Sequence, residues 1–244
     1  MSITSTLRQN TTKNRADVVS VTPIGDGLTH ICVTTRRPTV GWQPGQAIAV
    51  VVDPDGKTMR DRWRHYTVRR ATPDSNELEL LVVDRGPDSP AGRWIASLNV
   101  GASFTFMGPG GRPTLSAGAP AYVLTGDRSS IASIAAMTER LLTDERAPNI
   151  DVIVGTPNPD LADLTVDGDV ADNLRIRWVR AADAPALRTE LPAALPTTLP
   201  PGTRAYVTGE MKMMQTVRST LQRAGVARRA IGSHAHWTPG RRGM

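Results

Sequence analysis

The sequence predicts a β plus α/β fold, an N-terminal antiparallel six-stranded β-barrel followed by a parallel-sheet α/β domain. Three observations carry that reading. Short apolar runs alternate with turn chemistry through the first half of the 244 residues, a Gly- and Pro-rich passage interrupts the chain, and strand-like and helix-like periods then alternate. A chain of this length buries a sizeable core as one large domain or two small ones. Its 39% hydrophobic and 21% charged residues belong to a globular protein and exclude a disordered or fibrous one.

The first part contains six candidate strands, over residues 18–22, 30–34, 47–52, 65–70, 77–83 and 103–107. Gly25-Asp26-Gly27, Pro38, Pro44-Gly45, Pro54-Asp55-Gly56 and Pro73-Asp74 separate them, residue types that tight turns select. A short helix is expected over 91–98, ending before Gly101. The Gly/Pro-rich passage at 108–113, with Ser116-Ala117-Gly118-Ala119-Pro120, marks the boundary. The expected division is a disordered tail over 1–16, the barrel over 17–117 and the α/β domain over 118–244. In the second part a strand over 121–126 leads into a helix whose Ile131, Ile134, Ala135, Thr138 and Leu141 recur at helical spacing. Strands follow over 150–154 and 174–179, with Trp178 read as core. A strand over 204–209 precedes a helix over 211–224 closed by Gly225, and a last strand covers 231–237. The segment 187–201, rich in Pro, Ala and Thr, reads as a surface connection.

Several function classes drop out. No run of eighteen apolar residues exists, so no membrane span is expected. The polar N-terminus lacks the apolar stretch of a secretory signal, and the single cysteine, Cys32, permits neither an internal disulfide nor a cysteine metal cluster. A cytoplasmic protein is the expectation. The net charge of +6, with 26 arginines among 29 basic residues, raises nucleic-acid binding. The arginines are spread out, however, and only ten residues are aromatic. The dense basic spots, Arg60-Asp61-Arg62-Trp63-Arg64 and Arg228-Arg229 with Arg241-Arg242, suit an anionic small molecule better, and no nucleic-acid partner is expected. His234 and His236 have no cysteine or carboxylate cluster beside them, so no metal site is expected. The serine-nucleophile elbow, the GxGxxG fingerprint and the phosphate-binding lysine loop are all missing.

Two regions retain chemical interest. On a strand at Arg64-His65-Tyr66-Thr67-Val68-Arg69, residues Arg64, Tyr66 and Val68 share one face and His65, Thr67 and Arg69 the other. An aromatic two residues from a cation offers a π-face for an isoalloxazine and a charge for a diphosphate; an ordinary half-exposed strand reads the same way. Ser89-Pro90-Ala91-Gly92-Arg93-Trp94 could supply the diphosphate turn. In parallel sheets, ligands gather at the carboxyl ends of strands. Three such ends carry Gly126-Asp127 (with Ser129 or Ser130 as N-cap), Gly155-Thr156-Pro157 and Gly209-Glu210. Plain turns and caps account for these dipeptides equally well.

In order and spacing these pieces resemble the siderophore-interacting proteins, flavin-dependent ferric-siderophore reductases within the ferredoxin–NADP reductase-like flavoenzymes. The resemblance runs from about Asp17 to Gly243. Arg64-His65-Tyr66-Thr67-Val68-Arg69 is similar to the family's R-x-Y-T-x-R flavin motif, and Ser89-Pro90-Ala91-Gly92-Arg93-Trp94 to its G-P-A-S-R-W turn. Gly126-Asp127 with Ile131-Ala132, Trp178-Val179-Arg180, Thr208-Gly209-Glu210 and His236-Trp237-Thr238-Pro239-Gly240-Arg241 are similar to further family segments, and Pro44-Gly45-Gln46 to one of wider relatives. Leu81, Arg85, Arg128, His236, Thr238 and the exchanged Ser89 and Gly92 depart from the pattern.

The resemblance implies a flavin-binding barrel, a Rossmann-like second domain, FAD as cofactor, and NADH, NADPH or reduced ferredoxin as electron donor. It implies a ferric siderophore as substrate and iron reduction without a nucleophilic catalytic residue. Tyr66 and Trp237 would lie near the isoalloxazine. Arg64, His65, Thr67, Val83, Arg85, Pro90, Ala91 and Gly92 would hold the rest of the flavin, and Gly126, Asp127, Gly209 and Glu210 would face the donor. Arg60, Arg62 and Arg241 would meet the substrate. Two other activities fit the same motifs, a flavin reductase module serving a protein partner and a non-catalytic flavin or ferrisiderophore carrier.

Overall fold

The computed structural model describes residues 13–36, 41–72, 75–111, 113–162, 164 and 171–241. Residues 1–12 of the tail expected over 1–16, the turns at Pro38 and Pro73-Asp74, and Arg112 and Arg242 lie outside the described residues. The chain forms two compact units, Met1–Gly111 with Arg241–Met244, and Arg112–Gly240.

The first unit is a closed antiparallel barrel of β1 (Asn14–Ile24), β2 (Leu28–Thr35), β3 (Ala47–Val51), β4 (Trp63–Ala71), β5 (Glu77–Val83) and β6 (Ser103–Gly110), ordered β1-β2-β5-β4-β3-β6. Closure satisfies strand edges that would otherwise be exposed. The two-residue alternation is plain in β2, where Ile31 and Val33 are buried and His30 and Cys32 half-buried. Ile31, Ile48, Val50, Val68, Leu80 and Phe106 are buried to within 1% and form the barrel core, each contributing about 1.5–3 kcal/mol. Helix α1 (Met59–Arg62) is a single turn that the sequence pattern hid, although Thr58 and Asp61 form a reciprocal capping box around it. Helix α2 (Pro90–Ser97) joins the same core through Trp94 and Ile95. Strand β1 begins four residues before the candidate strand, since residues 14–17 pair with β6.

The second unit is a five-stranded parallel sheet of β7 (Ala121–Asp127), β8 (Asn149–Thr156), β9 (Leu174–Arg180), β10 (Arg204–Glu210) and β11 (Ile231–Trp237), ordered β11-β10-β7-β8-β9. Three helices cross over it: α3 (Ile131–Leu142), α4 (Ala184–Ala193) and α5 (Met211–Arg223). Val123, Ile153, Ala205 and Val207 pack with Leu187 and Leu191 of α4 and Met213, Val217 and Leu221 of α5. Alternation sends Leu124, Val152 and Val154 to the opposite face, and α3 packs on β7 and β8.

Helix α4 corrects the expected surface connection over 187–201. Asp183 caps it through a 2.8 Å bond from the Ala186 N–H, Pro185 occupies its first turn, and Leu187 and Leu191 bury one stripe. Pro and Ala content concealed a two-leucine helical face. Ser130 stands at the N-cap of α3 as expected but makes no side-chain cap bond, while Asp127 caps the preceding turn. Trp178 is half-buried on the edge strand β9 and not in the core.

Two tyrosines pin the segment before β7. The Tyr122 hydroxyl accepts from the Ala119 N–H and donates to the Ser116 carbonyl, both at 3.0 Å, and Tyr206 accepts from the Ser116 N–H at 2.7 Å. Tyr122→Phe leaves the buried Ala119 N–H unpaired and should cost about 1–3 kcal/mol, read as a lower urea midpoint with an unchanged slope.

Candidate functional site

In the barrel, the chain turns through α1 into β4 and places Arg64 opposite Val50. The turn supplies carbonyls for the arginine: Arg64 Nη1 donates to the Arg60 carbonyl at 2.5 Å and to that of Trp63 at 2.8 Å. Its remaining guanidinium nitrogens have no partner among the described residues. Tyr66, two positions on, packs on the barrel core and stacks on Trp94 of α2, ring centroids 5.3 Å apart at 16°. Its hydroxyl is fully buried with no partner among the described residues, and that burial pushes the phenol well above its ordinary pKa, so it remains an O–H donor. His65 is exposed on the other face, Thr67 and Val83 are half-buried, and Arg85 is exposed just beyond β5.

At α2, Ser89 caps the helix by accepting from the Gly92 N–H at 2.8 Å, and its hydroxyl donates to the Gly86 carbonyl at 3.1 Å. The Gly92 N–H is thereby spent. Pro90 has no N–H, so Ala91 carries the first-turn donor without an intrahelical acceptor. Gly92 matters through its missing side chain, since a Cβ there would lie 1.9 Å from the Gly86 carbonyl oxygen. An orphaned phenol, a partly free guanidinium and an open helix N-terminus are donors that suit a flavin carrying a diphosphate.

The second unit gathers its candidates at the carboxyl ends of β7, β10 and β11. The Asp127 carboxylate is the centre. One oxygen accepts from the Ser129 N–H (2.8 Å) and hydroxyl (2.5 Å), and the other from the Glu210 N–H (2.7 Å) and the Trp237 indole (2.8 Å). Gly209 adopts φ +122°, and a Cβ there would sit 2.5 Å from Asp127 Oδ2, so only glycine admits the carboxylate. Gly126 is equally crowded, its absent Cβ falling 2.3 Å from the Thr208 carbonyl oxygen.

Glu210 is fully buried. Its carboxylate caps α5 through the Met213 N–H at 2.7 Å and takes a bidentate pair from Arg188 of α4, both contacts 3.0 Å. Burial opposes its ionisation, but Arg188 and the helix N–H groups outweigh that and hold the carboxyl below the usual range. His236 Nδ1 lies 3.1 Å from the Ser129 carbonyl and 3.2 Å from its hydroxyl. Burial pushes the His236 pKa down to about 4, against the pull of Asp127 and helped by His234.

Gly126, Asp127, Gly209, Glu210 and Trp237 therefore meet in one network. Arg188 was missed because its segment read as a connection; the cap at Asp183 and the leucine spacing were the available signal. Gly155 serves packing, since its absent Cβ would strike Leu187 at 2.5 Å. Arg60, Arg62 and Arg241 are exposed, with Arg62 Nε bonded to the Gly56 carbonyl at 2.6 Å. Among the described residues no group of three His, Cys, Asp or Glu side chains could hold a metal, and no helix is long and apolar enough to cross a membrane.

The closed antiparallel barrel and the five-stranded parallel sheet together define a ferredoxin–NADP reductase-like fold. Residues 37–113 match the siderophore-interacting FAD-binding domain and residues 119–240 the siderophore-interacting protein model. The chain belongs to the siderophore-interacting protein family. It is 26% identical over 184 residues, 73% of its length, to the ferric vibriobactin reductase ViuB of Vibrio cholerae, and it spans 65% of the length of that relative. Its fold resembles the siderophore-interacting protein of Acinetobacter baumannii (TM-score 0.73, 18% identity, covering 94% of this chain and 92% of that one). It also resembles the Amycolatopsis cytochrome P450 reductase GcoB (TM-score 0.72, 20% identity, covering 93% and 70%).

Gly209→Ala must relax a left-handed backbone and displace Asp127, which should cost about 1–3 kcal/mol or more in urea unfolding. A wild-type midpoint would remove the close approach from the account. The depressed His236 pKa also sets a pH dependence. Between pH 6.5 and about 4 the unfolded histidine binds a proton that the folded one refuses, so stability falls as pH falls through that window. His236→Phe should flatten the slope of unfolding free energy against pH there; an unchanged slope would assign the effect to other groups.

Proposed function

We propose that the chain reduces ferric siderophores in the cytoplasm, taking electrons from NADH, NADPH or reduced ferredoxin through FAD and releasing ferrous iron. Support comes from the match of residues 37–113 to a siderophore-interacting FAD-binding domain, whose segment contains the buried, unpartnered Tyr66 hydroxyl. A bound flavin supplies the conversion between a two-electron donor and a one-electron acceptor. In overall balance, one NAD(P)H gives up two electrons and a proton to solvent while two ferric ions become ferrous.

The protein's own part is binding and orientation. Arg64 offers its free guanidinium nitrogens, and Ala91 its N–H, to the diphosphate. Tyr66, held against Trp94, donates its hydroxyl to the cofactor. Exposed Arg60, Arg62 and Arg241 draw in an anionic ferric chelate, and that attraction weakens as salt screens it. The siderophore brings its own iron ligands, so the protein has only to dock the chelate. The strand-end network around Asp127 faces the electron donor.

The purified chain should be yellow, with absorbance maxima near about 380 and 450 nm, and should reduce a ferric siderophore with no protein partner other than its electron donor. Arg64→Ala should weaken FAD binding about tenfold or more by titration of the flavin-free chain. Colourless protein that refuses added FAD would end the proposal. Flavin reduction without iron reduction would favour a module serving a protein partner, and flavin that no donor reduces would favour a carrier.

A further inference from the structure

His236 is held in one tautomer by its neighbours. The Ser129 carbonyl oxygen can only accept a hydrogen bond, so the Nδ1 facing it at 3.1 Å must carry the hydrogen. The Ser129 hydroxyl, 3.2 Å from the same nitrogen, has its own hydrogen committed to Asp127 at 2.5 Å and likewise can only accept. Burial keeps the ring neutral down to about pH 4, and His234, its ring centroid 5.8 Å away, adds to that preference. Nε2 is therefore a lone-pair acceptor. It has no hydrogen-bond partner among the described residues, and the half-buried position of His236 leaves it open to a ligand.

The network around it selects the ligand's chemistry. Its carboxylates, Asp127 and Glu210, are buried, and Arg188 already spends two nitrogens on Glu210. A phosphate beside the Asp127 carboxylate and an imidazole lone pair is disfavoured, whereas an uncharged N–H donor is welcome. Resting on the reading of this edge as the electron-donor site, we propose that His236 Nε2 accepts a hydrogen bond from the carboxamide N–H of a nicotinamide dinucleotide. The carboxamide is uncharged and carries two N–H groups. The nicotinamide ring becomes cationic when it loses hydride, a charge that the Asp127 carboxylate tolerates. The dinucleotide's phosphates would lie away from Asp127.

The test uses the flavin-loaded full chain and oxidised ligands, so that no turnover occurs. NAD⁺, NADP⁺, their 3-acetylpyridine analogues (a methyl ketone in place of the carboxamide) and ADP-ribose are titrated by calorimetry. The wild type should prefer the better natural nucleotide over its acetylpyridine analogue about five- to tenfold, the worth of one neutral hydrogen bond. In His236→Phe that ratio should fall to within about twofold of unity with ADP-ribose affinity unchanged, and His236→Gln, which restores an acceptor, should recover part of it. His236→Leu serves the same comparison if the Phe variant loses its circular-dichroism signature. A ratio that survives in His236→Phe, an equal loss for all ligands, or no nucleotide binding by the wild type overturns the inference. Flavin retention and iron reduction by a chemically reduced flavin would still stand in those cases, whereas a chain without flavin overturns the broader reading itself.

Discussion

The carboxylate of Asp127 is the constraint on which the second unit's ligand edge depends. Its four donors come from the ends of β10 and β11 and from the turn after β7, so one side chain at the end of β7 sets the spacing of β7, β10 and β11 where the sheet presents its chemistry. A buried carboxylate without a basic side chain bonded to it survives only if N–H and O–H dipoles meet both oxygens, and here they do. The cost falls on the neighbours. Gly209 must take a left-handed conformation and remain without a Cβ, and Trp237 must give its indole hydrogen inward.

Glu210 extends the same logic one residue further. Its backbone N–H serves Asp127 while its side chain caps α5 and ties α4 through Arg188. Both of its oxygens are thereby occupied, so it acts on a ligand through the elements it positions and not through a free carboxylate. His236 is the converse case, with one nitrogen anchored and the other unspent. The first unit repeats the division of labour. Ser89 spends the α2 donor of Gly92 internally, and Tyr66 keeps a buried hydroxyl with no partner among the described residues.

The departures from family pattern take on physical meaning in this setting. Ser89 stands where glycine is usual and becomes the helix cap, while Gly92 stands where serine is usual and permits the Gly86 approach. Leu81 is buried in the barrel wall. His236 replaces a tyrosine and, through Ser129, becomes part of the Asp127 network.

Composition and periodicity alone determined the six barrel strands and, apart from α4, the alternating strands and helices of the second unit, because two- and 3.6-residue periods and turn residues are local properties of the chain. The Gly126-Asp127, Gly209-Glu210 and Trp237 positions were legible as strand ends. Helix α4 was hidden behind Pro and Ala content, and α1 was too short for any period to register. Only the tertiary structure decided that Asp127 bonds to residues 83 and 110 positions away and that Arg188 pairs with Glu210. Likewise only it decided that His236 has a fixed tautomer. Those partners meet because parallel strands distant in sequence end side by side, and no local pattern in a sequence records that proximity.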